Sequence, residues 1–383
     1  MKKFTKMWAI AACALFAGTA AVNAEDYTWK FVTAGDATTY AIRSDGSLWS
    51  WGWNEKGQGG NGVSERTATP TLADGNRVWK KAVGGKAYGF FLAEDGSLWA
   101  AGTHEGGVQG TNDGIDHKVL TRIGTDNDWA DMACSRFWGY SGFAIKTNGT
   151  LWAWGKNSAG QLGIGNTQAQ TAPVQVGADM DWKQVAAGCS SVLALKTDGS
   201  LWGWGFNMYS ELFGHEGKQL SPVRLGSETD WEQVVVIDFR AYAVKKDGTL
   251  WAWGDNANNL LGFNTPTEEE TTAEGNPVEV VTVPQITAPT HVTSIEGKVL
   301  TISGCENTLS VATGTDGVIE KVWMLGSNTD GALGDGKGLG NGNKDIPFAK
   351  VPVHPSLKSS LKFAGMSSGQ NYTVMLTDRK SVV

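Results

Sequence analysis

Repeated aspartates are the first candidates for acid–base chemistry in this chain. They stand directly before glycine, an order that favours a hairpin turn, because the short polar side chain bonds to nearby backbone and glycine adopts a positive φ. The pairs are Asp45-Gly46, Asp95-Gly96, Asn148-Gly149, Asp198-Gly199 and Asp247-Gly248, with asparagine in the third copy. Because one explanation covers all five copies, we predict turns rather than catalytic carboxylates.

Histidine and serine chemistry also lacks the spacing that an enzyme would need. The histidines are scattered, with no His-x-His or His-Glu-x-x-His pattern: His104, His117, His215, His291 and His354. No Gly-x-Ser-x-Gly motif is followed by an acid and a histidine in the order that a serine hydrolase of this type uses. We therefore predict a protein without catalytic residues, not an enzyme.

Residues 331–337 fit the spacing of a phosphate-binding loop but lack its other marks. Gly331, Gly336 and Lys337 have the required order, yet Gly338 stands where Ser or Thr would bind magnesium, and no helix-forming run follows. The Asp- and Gly-rich stretch 330–345 has neither the spacing nor the closing Glu of an EF-hand. We predict a solvated loop there, no metal site and no cofactor.

The cysteines favour neither a metal centre nor a redox motif. Beyond residue 24 they are Cys134, Cys189 and Cys305, without Cys-x-x-Cys spacing. Three thiols allow at most one disulfide, and the sequence leaves both its existence and its pairing open. We expect buried small thiols.

The Asp-Gly pairs belong to a longer phrase that repeats along the chain. The phrase Asp-Gly-Ser-Leu-Trp-Ser-Trp-Gly at 45–52 returns in variants 49 to 53 residues apart, and a degenerate sixth copy opens at Asp316. Tryptophan precedes each phrase by 16 residues in four copies and by 19 in the third, at Trp29, Trp79, Trp129, Trp182 and Trp231. Two marks at near-fixed separation predict one structural module per repeat.

Each module has the pattern of four short antiparallel strands. In the fourth copy, apolar runs at 182–188 and 192–195 precede the turn, and runs at 201–205 and 222–225 follow it. Pro222 opens the last run, as suits an outer edge strand. Alternating tryptophans of the third strand share one face and should form the core between modules. They are Trp49, Trp51, Trp99, Trp152, Trp154, Trp202, Trp204, Trp251 and Trp253.

The loop after the third strand carries a further shared pattern. Asn54, Asn157, Asn256 and Asn328 each begin a Gly-rich stretch, as in Asn-Ser-Ala-Gly-Gln-Leu-Gly at 157–163. Together with the Asp-Gly turn, this pattern resembles the regulator-of-chromosome-condensation repeat, over nearly the whole chain from residue 29 to 378. The resemblance implies an all-β fold, a seven-bladed β-propeller of four-stranded antiparallel blades.

We assign residues 25–383 to a single propeller domain with an incomplete last blade. The expected blades cover 29–78, 79–128, 129–181, 182–230, 231–290, 291–360 and a partial 361–383. A Thr/Glu/Pro-rich stretch from 264 to 291 has the composition of a long loop with a strand at 278–283. Arg379 follows Asp378 where the hairpin glycine should stand. We expect either an imperfectly closed ring or a sequence that ends early.

Residues 1–24 have the pattern of a secretory signal peptide. Lys2, Lys3 and Lys6 precede a largely apolar run, and Val-Asn-Ala at 22–24 precedes acidic residues, so we expect cleavage after Ala24. Cys13 fits a lipoprotein cleavage site only loosely, and we expect no lipid there. No other stretch is long enough to span a membrane. The protein should be secreted, periplasmic or at the cell surface.

The charge of the processed chain argues against nucleic acid as a partner. Cleavage removes three of the 32 basic residues, which leaves 29 against 39 acids and a formal charge of −10. An acidic surface repels phosphates. Eukaryotic members of the family that this chain resembles bind nucleosomes and a small GTPase, but we expect neither for a secreted acidic protein.

Aromatic residues outside the repeat positions point to a partner-binding face. In such a blade the first-to-second and third-to-fourth connections emerge on one side, where module lengths vary most. The candidates are Trp53, Arg136, Phe137, Trp138, Tyr140, Phe206 and Tyr209, types that suit a protein or glycan contact. We predict a monomeric, non-enzymatic scaffold for an unidentified protein partner. The alternatives are a glycan-binding module at a bacterial surface and an enzyme with a site on the propeller axis.

Overall fold

The chain folds into consecutive antiparallel sheets, each a simple meander. A computed structural model describes residues 28–136, 139–257, 260–262, 269–271, 277–279, 285–305, 308–326, 346–350, 363–369 and 372–377. Within these ranges there are six four-stranded sheets and two two-stranded sheets. Residues 1–27, which include the predicted signal peptide, lie outside these ranges, as do the stretch 330–345 and Asn328.

The first three blades run in strand order along the chain. Blade 1 contains β1 (Trp29–Ala34), β2 (Thr38–Arg43), β3 (Leu48–Gly52) and β4 (Thr67–Asp74). Blade 2 contains β5 (Trp79–Gly84), β6 (Tyr88–Ala93), β7 (Leu98–Gly102) and β8 (His117–Arg122), with a 3-10 turn at Glu105–Gly107. Blade 3 contains β9 (Trp129–Cys134), β10 (Ser141–Lys146), β11 (Leu151–Gly155) and β12 (Gln170–Gln175).

The next two blades keep this plan, with one insertion. Blade 4 contains β13 (Trp182–Ala187), β14 (Ser191–Lys196), β15 (Leu201–Asn207) and β16 (Gly217–Arg224). Blade 5 contains β17 (Trp231–Ile237), β18 (Arg240–Lys245), β19 (Leu250–Asp255) and β22 (Gln285–His291), and the hairpin β20 (Glu269–Thr271) with β21 (Pro277–Glu279) is inserted before its last strand. The strand expected at 278–283 is therefore described only as far as 279. Pro222 lies inside β16 rather than at its start.

The last two units depart from the repeat. Blade 6 contains β23 (Val299–Cys305), β24 (Thr308–Thr315), β25 (Val318–Gly326) and β26 (Ile346–Lys350). The seventh unit shows two described strands, β27 (Phe363–Gly369) and β28 (Tyr372–Thr377). Six full blades and a partial seventh confirm the predicted fold class.

The first strands of the seven units form a closed ring. Each contacts the next along the chain, and the last contacts the first: β1, β5, β9, β13, β17, β23 and β27. At the closing junction, Ser367 Oγ accepts a bond from Ala34 N at 2.9 Å, and Leu376 packs with Val32. The two described strands of the seventh unit therefore bridge blades 6 and 1.

Tryptophans of the third strands divide into two roles. Trp154, Trp204 and Trp253 are fully buried, and their Nε1 atoms donate to carbonyl oxygens of the preceding blade at 2.7 to 2.8 Å. The tryptophan two residues earlier in each strand is half-buried and packs edge-on against the tryptophan that opens its own blade, with centroids 6.0 Å apart for Trp182 and Trp202. Indoles thus fill the space between blades, where each large aromatic buries about 150–250 Å².

A hydrogen-bond relay explains the spacing of the Asp-Gly-Ser-x-Trp phrase. Asp45 Oδ1 accepts from Ser47 N at 2.8 Å and from its hydroxyl at 2.6 Å, and Trp49 Nε1 donates to Ser47 Oγ at 2.9 Å. The bond from serine or threonine lowers the pKa of the aspartate in four copies: Asp45, Asp95, Asp198 and Asp247. These carboxylates accept the hydrogen bonds that stabilise the hairpin turns.

Asparagines, buried in blades 1, 3 and 5 and half-buried in blade 4, shape the loop that follows the third strand. The Oδ1 atoms of Asn54, Asn157, Asn207 and Asn256 accept from the backbone nitrogen five residues later at 2.7 to 2.9 Å. This bond turns the chain back over the sheet, so the conserved spacing of the motif within the repeats has a structural cause.

Candidate functional site

Two kinds of connection meet on one end of the propeller, which we call the loop face. The residue after each Trp-Gly donates its backbone nitrogen to the link between the first and second strands: Trp53 to Ala37 O at 2.8 Å, and Phe206 to Ser190 O at 2.9 Å. The opposite end, the hairpin face, carries the Asp-Gly turns and the links between blades, as in the bond from Trp79 N to Gly46 O at 2.9 Å.

The predicted partner-binding residues differ in their exposure to solvent. Trp53, Arg136, Phe206 and Tyr209 are half-exposed. Tyr140 is only 6% exposed and packs on Tyr88 between blades 2 and 3, with centroids 6.0 Å apart. The prediction that Tyr140 offers its ring to a partner is therefore corrected, because the neighbouring blade covers it. Phe137 and Trp138 lie outside the described residues.

The structure brings together some of these candidates and separates others. Tyr209 stacks in a tilted arrangement on Phe239 at 5.0 Å, and Phe206 lies in the same loop region with Lys218 Nζ 5.9 Å from its ring centre. Met208 between them is 46% exposed. Trp53 belongs to blade 1, and Arg136 donates to the carbonyl of Ser368 in the seventh unit. We name the apolar side chains of this loop region the apolar patch: Phe206, Met208, Tyr209 and Phe239, of which Tyr209 and Phe239 form a ring pair.

A charged cluster that the sequence interpretation missed lies beside this patch. Arg240, 7% exposed in its side chain, contacts Asp238 Oδ2 at 3.6 Å and Asp255 Oδ2 at 3.8 Å. Cys189 Sγ lies 3.4 Å from Asp238 Oδ1. Burial raises the pKa of Asp238, and the Arg240 guanidinium opposes that rise. The cation holds both carboxylates within blade 5, and the Cys189 thiol links this cluster to blade 4.

Glu211 anchors the loop that carries the apolar patch. It is fully buried; its Oε2 accepts from Tyr209 N at 2.8 Å, and its backbone carbonyl accepts from Trp253 Nε1 at 2.8 Å. Oε1 has no hydrogen-bond partner among the described residues. Burial raises the pKa of Glu211 to about 7, and the nearby charge of Asp255 adds to that rise. The side chain can therefore change charge near neutral pH.

The sequence could have revealed Glu211 and Arg240, because both differ from the residues at the same position in the other repeats. Gln161 and Gln58 stand where Glu211 stands, and their Oε1 atoms accept the same backbone bond at 2.9 and 3.1 Å. Arg240 opens its second strand where Thr38 and Ser191 open theirs. A charged residue in a position that other copies give to a neutral one can be read from sequence, although its partners cannot.

Among the residues that the structure describes, no group of three or more His, Cys, Asp or Glu side chains could hold a metal ion. Cys134 is buried and Cys189 is half-buried, and the side chain of Cys305 lies outside the described part. Within the same ranges, no helix has the length and apolar character needed to cross a bilayer.

Comparison with known proteins confirms the repeat type. Two stretches, 45–92 and 148–195, match the Regulator of chromosome condensation (RCC1) repeat, and a second model of that repeat matches 29–58. The Ultraviolet-B receptor UVR8 of Arabidopsis thaliana is 30% identical over 163 residues, which are 42% of this chain and 37% of that protein. The match thus spans less than half of this curated relative.

Solved structures show the same architecture at low identity. Human WBSCR16 has a TM-score of 0.73 at 17% identity, with 91% of this chain and 86% of that chain covered. Prp20p from Saccharomyces cerevisiae has a TM-score of 0.71 at 17% identity, with 90% and 81% covered. At this identity the likeness establishes the fold alone.

Proposed function

We propose that this chain, a propeller with regulator-of-chromosome-condensation repeats, is a non-enzymatic scaffold that binds a protein partner on its loop face. One observation carries the proposal. Side chains that depart from the repeat gather on the loop face, at the patch of Phe206, Met208, Tyr209 and Phe239 and at the adjoining Arg240 cluster. On the hairpin face, blades 1 to 5 instead repeat the same hydrogen bonds between the turn residue, the serine or threonine after it and the following tryptophan.

The residue types of the patch support a protein partner. Aromatic rings, methionine and arginine are enriched in the buried centres of protein interfaces, and anchored loops lose little entropy on binding. Glu211 and the Arg240 cluster fix the loop from below, so the patch is preorganised. The structure of Prp20p was described together with binding of that protein to Gsp1p and histones. For this chain we infer a protein partner from the residue types of the apolar patch.

A matched pair of exposed methionines offers a direct test of the face. Met208, 46% exposed, lies on the loop face, and Met180, 61% exposed, precedes a first strand on the hairpin face. A photoreactive amino acid at position 208 should crosslink a defined partner in the native host, and the same group at position 180 should not. Equal crosslinking from both positions, or crosslinking from position 180 alone, would refute the loop face as the binding surface.

We also propose that the scaffold acts outside the cytoplasm as a monomer. The support is the signal-peptide pattern of residues 1–24 and the acidic charge of the rest. Intact mass of the protein recovered from the host should correspond to a chain that begins at Glu25. Retention of residues 1–24 in the mature protein would contradict export by cleavage, and a dimer in light scattering would contradict the monomer.

Glycan binding is the second candidate, supported by the half-exposed rings of Trp53 and Tyr209. Sugar faces stack on such rings. A glycan array with the purified protein should give saturable binding that Tyr209→Ala or Trp53→Ala removes. Binding that both variants retain would exclude these rings as the glycan site.

A further inference from the structure

The junction between blades 5 and 6 differs from the others on the hairpin face. The first strand of blade 6 opens with Val299, where the earlier blades open with tryptophan. Val299 N donates to Gly248 O at 2.9 Å, as Trp231 N donates to Gly199 O at 3.2 Å. The two residues therefore occupy equivalent backbone positions, and the side chain is smaller in blade 6.

A cleft lies beside Val299 at this junction, where the preceding junctions hold an indole. At the junction of blades 4 and 5, Trp231 packs with Leu201 and Leu225. Their counterparts Leu250 and Val292 pack with Val299. Together with Ile295, these three aliphatic side chains line a cleft of about 180 Å³.

The rim of the cleft carries two basic side chains and one acid. His291 stacks on Trp251 with ring centres 5.3 Å apart, and Lys298 lies against Gly248 of the hairpin. Asp247 Oδ1 accepts from Thr249 N at 2.9 Å and from its hydroxyl at 2.7 Å. Glu296 of the same link pairs with Lys321 at 2.5 Å, away from the rim. Lys298 is therefore the ammonium group among the residues that line the cleft, and an anionic group of a ligand would meet it there.

We propose that this cleft binds a small molecule with one indole-sized aromatic ring system and an anionic substituent. The ring takes the space that tryptophan fills at the other junctions, and the anion meets Lys298. An aliphatic cavity of about 150 Å³ accepts benzene in another protein, so the volume here suffices for an aromatic ring in a cleft open to solvent. This site lies on the hairpin face and is independent of the proposed partner surface.

Three probes of one shape and different charge test the assignment: indole-3-acetate, indole and tryptamine. With the full chain, methyl chemical shifts of Val292 and Ile295 should respond to indole-3-acetate with a dissociation constant of about 1 mM or tighter, the range expected for a ligand of this size. Indole should bind more weakly and tryptamine most weakly. Absence of saturable shifts with all three probes, or tryptamine binding as tightly as indole-3-acetate, would overturn the proposal.

Two substitutions distinguish the contribution of the aromatic ring to binding from the contribution of the anionic group. Val299→Trp should restore the indole of the other junctions and remove binding of every probe. Lys298→Gln should weaken indole-3-acetate about two- to fivefold and leave indole unchanged, because an exposed ion pair contributes little. Lys246→Gln, at an exposed lysine two residues before Gly248, is the matched control and should change neither. Binding that survives in a folded Val299→Trp variant, or an unchanged affinity in Lys298→Gln, would contradict the site.

Discussion

Single residues in this propeller are informative when they break the pattern of their repeat. Glu211 replaces glutamine at a buried position and makes the glutamine's backbone bond with one oxygen. A neutral acid fits that site as an amide does, whereas a carboxylate leaves a charge in a site closed to water. Because Glu211 stands where other repeats have glutamine, the stability of the folded protein should depend on pH.

We predict that Glu211→Gln flattens the pH profile of stability. The pKa of Glu211 is about 7 in the folded state against an ordinary 4.5, so the folded protein retains a proton that the unfolded chain releases between these values. The free energy of unfolding of the wild type should therefore fall as pH rises from about 4.5 to about 7 and then level off. At pH 8 the variant should exceed the wild type by about 3 kcal/mol.

Urea denaturation at pH 5 and pH 8 measures this difference. Glu216→Gln, in an exposed part of the same loop, is the control and should follow the wild-type profile. A Glu211→Gln variant whose stability depends on pH as the wild type's does would show that Glu211 does not titrate in this range.

At the scale of elements, the hydrogen bonds of the Asp-Gly hairpin predict how two substitutions of Asp198 in blade 4 rank in stability. Asp198→Ala removes the acceptor for Ser200 N, which lies 2.8 Å from Oδ1, and should lower stability by about 1 kcal/mol. Asp198→Asn should be nearly neutral, since Asn148 accepts the equivalent bonds at 3.1 and 2.8 Å. Urea midpoints compare the three proteins, and equal loss in both variants would mean that charge matters more than the turn bond.

The two tryptophans of one strand should differ in their contribution to stability. Trp204→Phe leaves the buried carbonyl of Gln161 without its 2.8 Å donor, which costs about 1–3 kcal/mol in addition to the loss of packing. Trp202→Phe removes a bond from a half-buried ring to the Ser200 hydroxyl and should cost less. Thermal unfolding of the two variants gives the order, and the reverse order would contradict the division of roles between the two rings.

At the scale of the whole molecule, stability depends on how the ring closes. Leu376, 1% exposed, packs with Val32 and Ala41 across the closing junction. Leu376→Ala should lower the free energy of unfolding by about 2–5 kcal/mol, as for other buried leucines. Leu72→Ala is the control, because Leu72 is 47% exposed on an outer strand.

Hydrogen exchange locates the effect of the Leu376 substitution. Faster exchange at Thr33 and Ala34, with blade 3 unchanged, is the expected pattern for a ring that opens at this junction. If Leu376→Ala destabilises no more than Leu72→Ala, the seventh unit does not contribute to closure.

The sequence by itself determined the local and repeated features. Strands, Asp-Gly hairpins and the tryptophan spacing follow from interactions between residues a few positions apart, which every copy repeats. The same logic identified the fold class, since a repeat fixes what each module must contain.

The tertiary structure alone decided which side chains from distant modules meet. Ring curvature brings the seventh unit onto blade 1, covers Tyr140 with blade 2, and brings the Cys189 thiol of blade 4 to Asp238 of blade 5. These outcomes depend on the angle and distance between blades, which arise from contacts across hundreds of residues and leave no local pattern in the chain.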